Sequence, residues 1–279
     1  MWHKILVMSL VLVMVLSLAA CVAGPSAQEI VNDVIESWDD IRTYQFDMDM
    51  TLDMDVEAEG EAFEATMVLS SSGAFDLENR QMKMDMTMST AALGEEMEVE
   101  MEMYLIGDMM YAGMEIPEIG PMWVKSAMPA GYWEEMNQVK AQIEFVEAAQ
   151  VEVIGSGKVK GVDCYVLQLT PDMEQLWQLA MQQSGVTGEE ILPAIDEEFL
   201  QEIFQSFSMK QWIAKDTYLL TKVAIDMAVE LTPEALGFPE EEGLMTMDIF
   251  IVLLAYDYNQ QVSIVLPPEA EEAVEVPAW

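Results

Sequence analysis

The sequence predicts an α+β fold: one large, curved antiparallel sheet whose apolar concave face is covered by helices. Two observations carry this expectation. Long stretches alternate apolar and acidic residues with period two, as strands do when one face is buried and the other is wet. Other segments place apolar residues three and four apart, as helices with one apolar side do. A one-sided sheet and one-sided helices have few compact solutions. A sheet of so many strands curls rather than lying flat, and the helices fill the hollow.

The chain opens with Met1 to Lys4, then an apolar core from Ile5 to Leu16 interrupted by Ser9, then Ser17-Leu18-Ala19-Ala20-Cys21. A charged start, an apolar run and small residues at its end describe an export signal over residues 1–20. Leu18-Ala19-Ala20-Cys21 is similar to a lipobox, in which the Cys is diacylated and becomes the new N-terminus. An uncleaved anchor is the alternative, since Ile5 to Ala23 is about long enough to cross a bilayer. Both readings place residues 22–279 outside the cytoplasm and tied to a membrane. This is the outer surface of the cytoplasmic membrane, or an outer membrane if there is one. Residues 21–26 are then a lipidated Cys and a short tether, and residues 27–267 a single domain.

Ala27 to Ile41 reads as an amphipathic helix, with Ile30, Val31, Val34, Ile35, Trp38 and Ile41 on one face. From Tyr44 to Val56, apolar residues alternate with Gln45, Asp47, Asp49, Thr51, Asp53 and Asp55. The pattern recurs at Phe63–Leu69, Gln81–Ser89 and Glu96–Leu105, with a turn at Ile106–Met109 and a short partner strand at Met109–Ala112. A helix is expected from Tyr132 to Ala149, then strands Val151–Gly155 and Cys164–Leu169 joined through the turn-rich Gly155–Gly161. Thr170-Pro171 reads as a cap with Pro at the first helical position, opening a helix to about Gln183. A second helix is expected over Pro193–Phe207. Strands at Lys210–Ala214, Tyr218–Leu231 and Met245–Tyr258 follow, with a short one at Val262–Leu266. Residues 268–279 read as an acidic flexible tail, Pro267 marking its start.

Composition excludes several functions. Loss of Lys4 with the signal leaves 10 basic residues against 51 acidic ones, a net charge of −41. Nucleic acid is not an expected partner, because phosphate neutralisation needs clustered Lys and Arg. The acidity fits a solvated surface, adaptation to salt or weak Ca²⁺ binding, and composition does not separate these. His3 is the one histidine, and Cys164 is the one thiol once Cys21 is acylated. Ser-His-Asp and Cys-His catalysis and His- or Cys-based zinc sites are therefore not expected. No pair of carboxylates lies in a recognisable catalytic motif, so the reading is a non-enzyme without cofactor. Asp55-x-Glu57-x-Glu59-Gly60 starts like a calcium loop, but Thr66 stands where a bidentate Glu is needed. A solvated strand face accounts for it.

Methionine is the outstanding residue: of 26, 23 remain after Met1, Met8 and Met14 are removed. They cluster on the inner face of the first strands. One reading is a core that uses Met as filler; another is an adaptable apolar cavity that re-packs around acyl chains. A thioether Cu(I) site is a third, set aside because the residues are spread too far along the strands for one centre. The expected ligand-binding residues are Met48, Met50, Met84, Met86, Met101 and Met103, with Phe199 and Phe204 from a covering helix. The expected partner is a lipid or other hydrophobic ligand. A surface scaffold or sensor with a filled core is the alternative.

Several segments carry a family resemblance. Trp212-Ile213-Ala214-Lys215-Asp216-Thr217-Tyr218-Leu219 is the most specific. Gly161–Leu167, Tyr104–Tyr111 and Tyr256–Val262 accompany it. Together they resemble the LolA/LppX–LprG-like lipoprotein superfamily over about Ala27 to Pro267. That resemblance implies an unclosed, strongly curved antiparallel half-barrel plugged by helices, with a cavity that takes lipids or lipidated proteins. The Met-rich inner face and the acidity depart from the family pattern.

Overall fold

The computed structural model describes residues 24–58, 61–116, 120–128, 133, 137–171, 203–232 and 243–277. The first helix, α1 (Ala27–Trp38), starts where the sequence predicts. Ser26 caps it by accepting from the Glu29 amide, while the Glu29 carboxylate accepts from the Ser26 amide at 2.7 Å. This reciprocal box satisfies two of the helix's orphan donors. The helix stops at Trp38 instead of Ile41, yet Ile41 is still buried beside Ile30, Val31 and Val34.

The strands are β1 (Thr43–Ala58), β2 (Glu61–Asp76), β3 (Gln81–Ala92), β4 (Glu95–Ile106), β5 (Met109–Ile116), β6 (Gly120–Ala127), β7 (Gln150–Val159), β8 (Val162–Thr170), β9 (Phe204–Ala214), β10 (Leu220–Leu231), β11 (Gly243–Tyr256) and β12 (Val274–Glu275). They form one open sheet in the order β12-β6-β5-β4-β3-β2-β1-β11-β10-β9-β8-β7. Neighbours are antiparallel throughout, except that β12 runs parallel to β6. The architecture is the strongly curved half-barrel that the sequence predicts, unclosed, with helices on the apolar face.

Two-residue turns set much of the register. Leu93-Gly94 joins β3 to β4 and Lys160-Gly161 joins β7 to β8, and all four residues have positive φ. Such turns match the right-handed twist of the strands they join. The second helix, α2 (Gln138–Ala148), is tied to the sheet by Asn137. Its side chain accepts from the Lys140 amide and from the Tyr44 hydroxyl, both at 3.1 Å. Val139, Ile143 and Val146 face the sheet and are buried. With α1 they cover one end of the apolar face, over Tyr44, Phe46, Phe75, Met82, Leu105, Leu167, Met209 and Ile213.

Four expectations need correction. The β7–β8 connection is the two-residue turn Lys160-Gly161, not a Gly155–Gly161 loop, and the chain crosses Val153–Gly155 as a β-bulge. Phe204 begins strand β9 and does not belong to a helix; Phe199 and both helices expected between residues 172 and 202 lie outside the described residues. Val262–Leu266 is not a strand. The stretch expected to be a flexible tail is docked. A short helix α3 (Pro268–Glu271) buries Ala270, and Val274–Glu275 pairs with Val124–Lys125 of β6. A bond from the Val276 amide to the Lys125 carbonyl extends the pairing. This segment covers an edge that would otherwise offer unpaired backbone groups.

Candidate functional site: an open methionine face and an acidic groove

Register places the expected methionines on one face and in defined rows. Met84 opposes Met103, and Gly73 and Phe46 continue that row. In the next row Met86 opposes Met101, with Ser71, Met48 and Leu253 beyond. Met50 lies one row further, between Leu69 and Ile251. Phe204 sits opposite Val229, in the row of Met247 and Met54, three strands away from Met48. The six methionines are therefore brought together, and Phe204 stands apart on the same face.

Exposure along this face changes steadily. Under α1 and α2 it is sealed: Met82 is 0%, Phe75 1% and Phe46 3% exposed. Met48, Met86 and Met103 are half-buried against the edge of that core. Farther along, Met50, Leu52, Met54, Val56, Phe63, Met67, Met247, Ile249 and Ile251 are half-buried, and Met97 is 59% exposed. The cause is length. Strands β1 and β2 run 16 residues each, while α1 and α2, of 12 and 11 residues, cover one end of the face among the described residues.

One row contradicts the expectation that the methionines are too dispersed for one centre. Met86 opposes Met101, Met101 opposes Met114, and Met114 opposes Met122. Four successive strands each present a thioether at the same level. The signal was available in the two-residue turns Leu93-Gly94 and Gly107-Asp108, which fix the offset between strands, but only once the turns themselves are known.

The opposite face carries a groove that sequence reasoning missed. Its volume is about 670 Å³; Asp47, Asp49, Asp85, Glu100, Glu102 and Glu115 line it with Trp123, and Met86, Met101 and Met114 of the intervening strand positions also border it. Trp123 lies flat over Gly113, where an added Cβ would meet its ring carbons at 2.5 Å. Glu102 accepts from the Tyr104 hydroxyl at 3.0 Å, Asp49 from Ser70 at 2.8 Å, and Asp85 pairs with Lys83 at 3.0 Å. At the rim, Lys160 is 2.9 Å from the Asp47 carboxylate and 3.6 Å from the centre of the Tyr256 ring. The Tyr256 hydroxyl donates to the other Asp47 oxygen at 2.7 Å. Burial and this bond push the Tyr256 hydroxyl up to about 12. Among the described residues no group of three or more His, Cys, Asp or Glu is arranged to hold a metal ion. Cys164 is fully buried on β8, its Sγ 3.3 Å from the Thr221 hydroxyl, and serves as a small core side chain.

Structure comparison aligns the chain with the lipoprotein LppX of Mycobacterium tuberculosis at 10% identity. The alignment covers 87% of this chain and 100% of that one, with a TM-score of 0.39. LprF of Mycobacterium bovis aligns at 13% identity over 86% of this chain and 96% of its own, with a TM-score of 0.42. No curated protein matches at the level of sequence. Residues 26–275 match the model of a family of unknown function, DUF6612, and the chain belongs to that family.

Proposed function

We propose that the protein is a membrane-tethered, extracytoplasmic and non-catalytic holder of a hydrophobic ligand, a lipid or other molecule with acyl chains. The ligand lies along the open part of the apolar sheet face. The observation that carries this reading is the gradient of exposure. Among the described residues, a face of Met, Leu, Ile and Phe continues past α1 and α2, which seal one end of it, and an apolar surface of that extent marks an interaction site. Methionine suits the role because its unbranched, three-torsion side chain adapts to acyl chains of varied shape. A ligand burying ~15 methylenes at about 0.8 kcal/mol each gains ~12 kcal/mol. Subtracting about 4 kcal/mol as the low estimate for association leaves roughly micromolar affinity without any polar contact.

Cys21 supplies the tether in this reading. Only Val22–Ser26 separates it from α1, at most roughly 18 Å of chain. The domain therefore works at its own bilayer rather than as a free shuttle. Replacing Cys21 by Ser is expected to abolish incorporation of radioactive fatty acid in cells; labelling equal to that of the parent protein would remove the lipid anchor.

The ligand itself is tested by native mass spectrometry of protein purified from its own membrane, followed by solvent extraction. A retained acyl-containing species and displacement of a fluorescent fatty acid are expected. An empty protein that also ignores the fluorescent probe would sink the reading. One observation favours a second reading: the groove of about 670 Å³ lies on the acidic face. A scaffold or sensor acting through that exterior would use the groove and leave the methionine face as core.

A further inference from the structure

From the cross-strand register we infer that Met86, Met101 and Met114, with Met103 beside them, form a thioether site for a soft monovalent cation of the Cu(I) class. Directly opposed residues on neighbouring strands have Cβ atoms about 4.5–5.5 Å apart. Met101 has such a neighbour on each side, Met86 on β3 and Met114 on β5. Three unbranched side chains on one face can bring their sulfurs to a common point over Met101. Met103 stands two residues along the same strand and face, within reach as a fourth ligand.

Three further observations support a site over mere filling. Strands favour β-branched and aromatic residues, yet four successive strands place Met at this level. The adjacent row holds Met50 and Met88, but Leu69 stands between them and Ile251 and Val99 flank them, so no two methionines there are directly opposed. Met86, Met101 and Met114 are half-buried, so a cation can enter and is still partly shielded from water. The flanking residues Asp85, Glu100 and Glu102 project from the other face of the same strands, and their field concentrates cations locally. Thioether sulfur is a soft ligand that selects Cu(I) over hard divalent ions.

The site needs sulfur, whereas the hydrophobic reading needs only apolar surface, and leucine separates the two. Full-length protein in detergent is titrated anaerobically with Cu(I) against the chromophoric chelator bicinchoninate. Retention of one Cu(I) per chain is expected, with a sulfur-only shell in X-ray absorption. The triple variant Met86→Leu/Met101→Leu/Met114→Leu, checked for fold by circular dichroism, is expected to weaken binding by more than the tenfold or so that even an outer-shell partner costs. Should the triple variant not fold, Met101→Leu alone is expected to do the same. Met54→Leu/Met247→Leu, three rows further along the face, leaves binding unchanged. Copper lost entirely to the chelator, or held equally by the folded leucine variants, overturns the site. Fatty-acid binding is expected to survive in the leucine variants, and its loss there would count against the hydrophobic reading alone.

Discussion

Replacing Phe75 by Ala is expected to destabilise the protein by about 3–5 kcal/mol, the usual cost of emptying a buried aromatic site. Phe75 is 1% exposed and lies where the sheet meets its covering helices. Its ring stacks on Tyr44 at 4.9 Å, tilts against Phe46 at 5.7 Å and meets Trp133 edge-on at 5.9 Å. Such aromatic pairs contribute about 0.5–1.5 kcal/mol beyond the area they bury. Phe63 is the matched control. It occupies the same face of the same strand, opposite Val56, but is only half-buried at the far end. Phe63→Ala is expected to cost less than about 1 kcal/mol. Urea unfolding of both variants checks this, and a thermal midpoint lowered by about 10 °C or more is expected for Phe75→Ala alone. Equal costs at the two positions would mean that the far rows are as tightly packed as the core, and the open face would not exist.

The contrast between Phe75 and Phe63 also marks what the sequence could and could not disclose. Alternation revealed β1, β3 and β4 nearly to their ends, because a polar residue, acidic on most of β1 and β4, stands at almost every second position and names the wet face. It failed in the second half of β2, where Ser70-Ser71-Ser72-Gly73 interrupts the pattern. Gly73 is there for packing: an added Cβ would lie 2.4 Å from the Lys83 carbonyl and 2.7 Å from the Phe46 ring. No one-dimensional rule sees a neighbour on another strand. Phe199, Leu200, Ile203, Phe204 and Phe207 have helical spacing, and that spacing captured Phe204–Phe207, which belong to β9. Strand β6 escaped because Gly120-Pro121 opens it, and β12 because its two residues form a strand only through β6.

For the functional surfaces, composition told more than position did. The methionine face was legible, since period two sends Met82, Met84, Met86 and Met88 to one side. Which methionine lies beside which was not. Adjacency depends on turn length: one extra residue in the Leu93-Gly94 turn would shift the pairing of Met101 with Met86, and one in the Gly107-Asp108 turn that of Met114 with Met101. The acidic groove was wholly hidden. Its carboxylates come from β1, β3, β4 and β5, and each of them read alone as a solvated strand face.

Alkaline pH is expected to unfold the protein steeply, through the aromatic hydroxyls at the covered end of the sheet. Tyr44 is fully buried and donates to Asn137; burial first, and then the nearby Tyr258, raise its pKa well above the usual value. The Tyr258 hydroxyl donates to the Leu220 carbonyl at 2.6 Å, and burial raises its pKa strongly too. Both groups keep their protons in the folded state after the unfolded chain has lost them. Below about pH 10, the ordinary tyrosine value, both states are protonated and no stability depends on these groups. Above it the unfolded state binds fewer protons, so stability falls as pH rises until the folded groups titrate. Each tyrosine contributes a slope of about 1.4 kcal/mol per pH unit, and the two together roughly 2.7. A tenfold fall in hydroxide is thus worth more than most single substitutions. Urea midpoints measured across this range, with tyrosinate absorbance recorded in parallel, should show unfolding and ionisation arriving together. Tyr44→Phe and Tyr258→Phe should each lower the slope by about 1.4 kcal/mol per pH unit, and because lysine deprotonation and the raised Tyr256 hydroxyl are common to all variants, the difference isolates these two hydroxyls. A stability profile that stays flat to about pH 11.5, or a slope untouched by both phenylalanine variants, would place these hydroxyls in contact with water and remove the seal formed by α1 and α2.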